Sequence, residues 1–237
     1  MPFTFSHAAA VLPFLKNQKL SASALIVGTL SPDLEYFFRM KMKSEISHTL
    51  LGIFIIDLPL GLLVLFLFHL CIKNALLENL PTFFQFRTQE LQASKWLQYF
   101  KNNFWVIIVS FVFGALTHLV WDSMTHWDGY IVRRFTFLNS DFNGVALYSY
   151  LQYISSVIGL VFMAIYFIKL PVNNEITSKI NGFYWLWVLA ISSMVFLIRL
   201  SFGIKKEEWA TVLVSVISAV FIGLVIAGIR EKNKGIW

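Results

Sequence analysis

Residues 104–126 read FWVIIVSFVFGALTHLVWDSMTH. No charged residue occurs from Phe104 to Thr117, and as an α-helix rising about 1.5 Å per residue the run can cross a hydrocarbon core of about 30 Å. Its last third carries His118, Asp122 and His126. Each residue turns the helix by about 100°, so positions four and eight apart drift by only about 40° and 80°. The three side chains therefore share one face over roughly 12 Å. An apolar helix ending in imidazoles and a carboxylate decides the fold and suggests the chemistry.

The rest of the chain supports a membrane reading. It is 57% hydrophobic and 14% charged, against about 45–50% and about 25% in soluble domains. Further apolar runs fall near 48–72, 146–168, 183–204 and 208–229, giving five strong spans. A weaker segment at 20–38 contains Ser31, Pro32, Asp33 and Glu35 and is too polar to face lipid along its length. Residues 6–15 form a short apolar stretch joined to it through Lys16-Asn17-Gln18-Lys19, so the two predict an N-terminal helical hairpin with Ser6 as an N-cap. The expected architecture is all-α: a polytopic membrane helical bundle of five strong transmembrane helices plus this hairpin, forming a single integral membrane domain over 1–237. An amphipathic surface helix is expected over 88–100. Trp96, Trp105, Trp127, Trp185, Trp187 and Trp209 fall near span ends, as an interfacial belt requires.

The net charge of +6 follows from cations scattered through the loops, which reads as membrane topology and not as a nucleic-acid stripe. Loops on the side away from the candidate ligands, with Lys16, Lys19, Lys73 and Lys234 among their cations, are richer in Lys and Arg than those on the ligand side, with Lys205 and Lys206 among theirs. This places the ligand side outside the cytoplasm of a cell (inner) membrane. The start has no cationic region or cleavage site of signal type, so it is expected to be uncleaved. Cys71 lies alone in an apolar run, reads as a small packed hydrophobe, and leaves no intrachain disulfide to form.

Desolvating an Asp at the centre of a membrane helix costs about 2.5–3.5 kcal/mol on insertion scales, so Asp122 and its flanking imidazoles want a shared partner. A divalent metal supplies one and suits this ligand set: zinc first, with manganese or iron as alternatives. If the hairpin turn and Phe104 share a membrane side, His7, Asp33 and His48 come to a similar depth. More ligands then converge than one tetrahedral ion needs, allowing a binuclear site. His69 reads as a packing residue and Asp57 as structural, before the Pro59 kink.

The stretches MPFTFSHAAAVLP from Met1, Ser31-Pro32-Asp33-Leu34-Glu35-Tyr36, His48-Thr49 with Asp57-Leu58-Pro59-Leu60-Gly61, and Gly114 to His126 resemble domain-of-unknown-function family 4184. The resemblance covers nearly the whole chain. In motif order it is also similar to membrane-bound metal-dependent hydrolases and, more remotely, to zinc-dependent phospholipase C. It implies a metal set of His7, Asp33, His48, His118, Asp122 and His126. The second acid-bearing motif of the phospholipase has no counterpart here.

The function expected is a membrane-embedded metal-dependent hydrolase of a phosphoester in a lipid or lipid-linked substrate. Asp122 and Glu35 are its candidate catalytic carboxylates, Glu35 as general base where Pro32 breaks the helix. Arg39, Arg133, Arg134 and Arg199 are candidates for holding phosphate, and Gln152 and Ser156 for supporting the ligands. Membrane lipid is the expected partner. Two rivals remain: a small-solute or proton-coupled transporter or channel using the histidines as a relay, and a non-catalytic membrane scaffold.

Overall fold

The computed structural model describes residues 3–173, 178–204 and 208–233; Lys205, Lys206 and Lys234, counted above for orientation, lie outside them. The chain is helical almost throughout. A 3-10 segment, Thr4–Phe14, leads to α1 (Ala22–Leu30), a 3-10 turn (Ser31–Asp33) and α2 (Leu34–Arg39). Then come α3 (Leu50–Glu78), α4 (Thr82–Ala93), α5 (Trp96–Asn102), α6 (Phe104–Thr125) and α7 (Tyr130–Arg134). A two-residue hairpin, β1 (Asp141–Phe142) with β2 (Val145–Ala146), precedes α8 (Leu147–Ile168), α9 (Gly182–Ser201) and α10 (Trp209–Asn233). Five helices are long and apolar enough to cross a membrane: Leu50–Glu78, Phe104–Arg134, Leu147–Ile168, Gly182–Ser201 and Trp209–Asn233. The polypeptide is thus an all-α, polytopic helical protein, with spans where hydropathy expects them. The first and fifth run on past the apolar runs, because backbone hydrogen bonding carries a helix beyond the point where its side chains turn polar, whereas the second breaks after Thr125 and resumes at Tyr130.

Two compact units divide the chain: residues 1–34, 46–61 and 102–169, and residues 35–45, 62–101 and 170–237. In the first, the N-terminal hairpin packs on α6. A Cβ at Gly28 would stand 2.2 Å from the Phe111 carbonyl oxygen, and one at Gly114 would stand 2.4 Å from that of Leu25. The two backbones therefore cross at the separation that small residues permit in membrane helix pairs. Leu25, Ile107, Phe111 and Ala115 close fully around the crossing, and the Ser21 amide donates to Ser110 Oγ at 2.9 Å. The other arm of the hairpin is 3-10, not α-helical, and contains Pro13, which has no amide to donate. Ser6 is no N-cap: it lies inside this arm and its hydroxyl donates back to the Phe3 carbonyl at 2.7 Å. The arm rests on α8, where Gly159 admits the Ser6 backbone and the Phe3 amide donates to Ser156 Oγ at 3.0 Å.

In the second unit, α9 packs on α10, and Ala75, Tyr184, Val188 and Ala227 form a buried apolar cluster. Residues 37–42 are clamped to α10: Ser218 Oγ donates to the Phe37 carbonyl at 2.7 Å and Ser215 Oγ to that of Met40 at 2.9 Å. Thr211 Oγ1 accepts from the Met42 amide at 3.3 Å. Instead of one surface helix over 88–100 there are two, α4 and α5, broken at Ser94-Lys95. Ser94 caps the buried Lys73 ammonium, accepting from Nζ through its carbonyl at 2.6 Å and its hydroxyl at 3.0 Å. Trp96 leaves the expected belt: it is buried and stacks on His69 at 4.1 Å with the rings 2° from parallel. His69 is the packing residue expected. Trp105, Trp127, Trp187 and Trp209 are exposed, whereas Trp185 donates its indole N–H to the Asn79 carbonyl at 2.9 Å.

Candidate metal centre

The first unit gathers the candidate ligands. His118, on the buried face of α6, aims its two ring nitrogens in opposite senses: Nδ1 is 2.7 Å from the Thr29 carbonyl and Nε2 is 3.1 Å from Asp122 Oδ2. The carbonyl accepts from Nδ1–H, which leaves Nε2 turned to the carboxylate, where it donates when protonated and offers a lone pair to a shared cation when not. Asp33, on the 3-10 turn that Pro32 imposes after α1, brings Oδ1 to 3.9 Å from His118 Nε2. His48 adds Nε2 at 3.3 Å from Asp33 Oδ1 and 3.7 Å from Asp122 Oδ2.

Ligands about 2.0–2.1 Å from a tetrahedral zinc stand about 3.3–3.4 Å apart. Four contacts within the cluster, at 3.1, 3.3, 3.7 and 3.9 Å, fall around that edge. The residues fit a divalent metal. Asp33, His48 and His118 form one group with ligand spacing and His7, His118 and Asp122 another.

His7 comes in from the 3-10 arm. Its ring stacks on His118 at 3.8 Å and meets Trp121 edge-on at 5.3 Å, with Nε2 at 3.4 Å from Asp122 Oδ1. Among the described residues, both nitrogens of His7, Asp33 Oδ1 and Asp122 Oδ1 are buried without a hydrogen-bond partner. Such orphans are costly unless something polar completes them. His7 and Asp33 lie outside the five spans. Burial, then the neighbouring His118, pushes the His7 pKa down to about 3, which keeps it in its neutral, ligating form. Burial alone would raise Asp33, but His118 and His48 beside it outweigh that and hold it below the usual carboxylate range.

His126 reaches the cluster by a different route from the one the helical face predicts. The helix stops at Thr125 and His126 is extended, yet its ring folds back, with Nδ1 3.4 Å from Asp122 Oδ1 and 3.2 Å from the Asp122 carbonyl. His48 stands in the left-handed region at φ 52°, a backbone strain of the kind that collects at functional sites. His7, Asp33 and His118 are sealed, whereas the side chains of His48 and His126 are 26% and 19% exposed. Access to the cluster is from their side.

The supporting residues are only partly those expected. Gln152 and Ser156 are buried, and Ser156 donates to the Gln152 carbonyl at 2.7 Å while accepting the Phe3 amide. They hold the arm that carries His7 and do not touch the ligands' polar atoms. Three contributors went unread. The Thr4 hydroxyl donates to Asp33 Oδ2, the Thr29 carbonyl orients His118, and Trp121, donating to Ser155 Oγ at 3.1 Å, walls His7. A hydroxyl three residues before His7 was the available signal for the first.

Glu35, Arg39 and Arg199 have local partners, whereas Arg133 and Arg134 are exposed. Glu35 belongs to the second unit and spends both oxygens locally: Arg39 Nε reaches Oε1 at 2.9 Å, the Ser44 hydroxyl Oε2 at 3.0 Å, and the Glu45 amide both. Lys43 and Arg39 in turn hold the exposed Glu45 carboxyl below its ordinary value. Glu35 and Arg39 thus close the 35–45 segment. Arg199 donates to the Met40 and Gly203 carbonyls at 3.1 and 3.3 Å, which gives this cation a backbone-clamping role. Arg133 and Arg134 follow the metal helix on α7 in the first unit and are exposed, Arg134 lying 3.8 Å above the Tyr130 ring.

A family model described as a domain of unknown function (DUF4184) matches residues 1–229. No curated protein and no solved structure matches the chain.

Proposed function

The chain belongs to the DUF4184 family, and for this member we propose a membrane-embedded, metal-dependent hydrolase that cleaves a phosphoester in a lipid or lipid-linked substrate. The observation that carries the reading is the gathering of His7, His118 and Asp122 in one group with ligand spacing and of Asp33, His48 and His118 in another. A divalent ion there, zinc by ligand type, supplies Lewis-acid polarisation of a phosphoryl oxygen and an acidified water nucleophile.

The chain's own residues do the rest. The Thr29 carbonyl fixes the His118 tautomer and Thr4 holds Asp33. The sealed faces of His7, Asp33 and His118 exclude water from three directions, so the substrate phosphate enters past His48 and His126. Arg133 and Arg134 follow the end of the same helix and are exposed to a headgroup phosphate, Arg133 with its fork open to two oxygens. The cluster sits at the end of a span, where a lipid headgroup meets the aqueous phase. The loop charges favour the outer face of the cell membrane.

The test is metal content and hydrolysis measured together. Purified protein is expected to carry zinc and to release phosphate or headgroup from a phospholipid in mixed micelles, and Asp122→Asn to lose both. Wild-type protein that binds no divalent ion after metal loading would overturn the proposal.

A further inference from the structure

Residues 127–142 follow His126 and are tied at both ends to long apolar helices, α6 ending at Thr125 and α8 beginning at Leu147. Within the segment, polar groups satisfy one another. The Gly129 amide donates to the His126 carbonyl at 2.9 Å, the Asn139 side-chain amide to the Val132 carbonyl at 2.8 Å, and β1 pairs with β2. The rings face outward: Trp127, Tyr130, Phe135, Phe137 and Phe142 are each between 58% and 73% exposed, while Val132 is sealed. A loop built for water turns its rings inward and leaves its amides to the solvent; this one does the reverse. Exposed apolar surface so concentrated marks an interaction face, and aromatic rings at the end of a span sit at the level of lipid headgroups. Arg133 and Arg134 lie exposed among the rings. Apolar area interleaved with cations suits an acyl chain beneath a phosphate, not a second apolar protein face.

Resting on the metal-dependent hydrolase reading above, we infer that residues 127–142 form an interfacial platform that takes a membrane phospholipid sideways from the bilayer and presents its phosphate to the cluster. The rings seat at the boundary between headgroups and acyl chains, and the Arg133 and Arg134 guanidiniums meet the phosphate. Trp127 is the residue after the partly exposed His126, so the platform begins at the mouth of the site. The substrate class narrows accordingly. It is a phosphoester whose apolar chains stay in the bilayer throughout. A water-soluble phosphoester gains nothing from the rings and is held by the metal centre alone.

Two measurements separate the platform from the chemistry. Full-length protein with Cys71 replaced and Phe137→Cys carrying a fluorophore is reconstituted in vesicles of phosphatidylcholine and phosphatidylglycerol. The label is expected to be quenched by lipid spin-labelled near the headgroup and shielded from aqueous iodide. The opposite pattern would overturn the platform and leave the hydrolase standing. Shielding from both quenchers would overturn it as well, because the rings would then face protein. In the second measurement, Phe135→Ser combined with Phe137→Ser is expected to raise the KM for vesicle phospholipid about tenfold. Its kcat, its metal content and its rate on a water-soluble short-chain phosphoester should stay at the wild-type level. An equal fall on both substrates would make the rings structural and overturn the inference. A lipid-quenched label on a wild-type-like chain that hydrolyses neither substrate would overturn the metal-dependent reading, and delivery to the cluster with it.

Discussion

Thr4 shows how much a single hydroxyl can do at this site. It donates to the Asp33 oxygen that does not face the imidazoles, fixing the direction in which the other oxygen points. Outer-shell hydrogen bonds of this kind are worth about 10–100-fold in metal affinity. Thr4→Val is expected to weaken metal binding by roughly that factor while Thr4→Ser restores it, as read by competition with a zinc-sensitive dye. His69 is the matching control: it stacks on Trp96 in the other unit, so His69→Ala should leave metal content at the wild-type level in elemental analysis. The distinction between these residues was visible in sequence only in part. His118 and Asp122 declare themselves by a four-residue spacing on an apolar helix. His126 does not keep that face, because the helix ends one residue before it. Glu35 was expected as a base because a helix break at Pro32 would let it approach the ligands. Only the fold shows that Arg39, Ser44 and the Glu45 amide take up both its oxygens.

At the level of elements, the α1–α6 crossing sets the register of the site. Gly28 and Gly114 bring the backbones together, and the same contact places the Thr29 carbonyl against His118. Gly114→Val would drive a branched side chain into the Leu25 carbonyl and the Thr29 amide. Overpacking of this kind costs about 1–3 kcal/mol. The variant is expected to melt earlier in a detergent thermal scan and to hold less metal, because separating the helices also moves Thr29 away from the imidazole. Hydropathy locates α6 and predicts a hairpin beside it, but it cannot see that the first arm is 3-10. That conformation rises about 2.0 Å per residue against about 1.5 Å for an α-helix, so over the seven residues from Phe14 back to His7 it reaches roughly 3.5 Å further. Conversion of the arm to α-helix would withdraw His7 by more than a metal–ligand bond length.

For the whole molecule, the site joins distant parts of the chain, so metal should act as a global stabiliser. A ligand that binds only the folded state at 100 times its dissociation constant adds about 2.7 kcal/mol. Added zinc is expected to raise the melting temperature of wild-type protein and chelator to lower it, with no response from Asp122→Asn. Orientation is a property of the same scale. With Cys71 replaced, a cysteine at Asn139 should react with an impermeant reagent applied to intact cells and one at Asn233 should not. The reverse pattern would put the site on the cytoplasmic face. The five spans were legible because each is a long uninterrupted apolar run. The division into two units was not, since it depends on which small residues let backbones touch.

The separation of the ligands along the chain also sets an order of events during synthesis. Asp33 leaves the ribosome 85 residues before His118, an interval of about 4–17 s at ordinary elongation rates of about 5–20 residues per second. For that time the polar hairpin has no α6 to pack on, and Asp33 has the Thr4 hydroxyl but not yet His118 beside it. It must wait at the membrane surface, and the metal can be captured only after the second span has entered the bilayer.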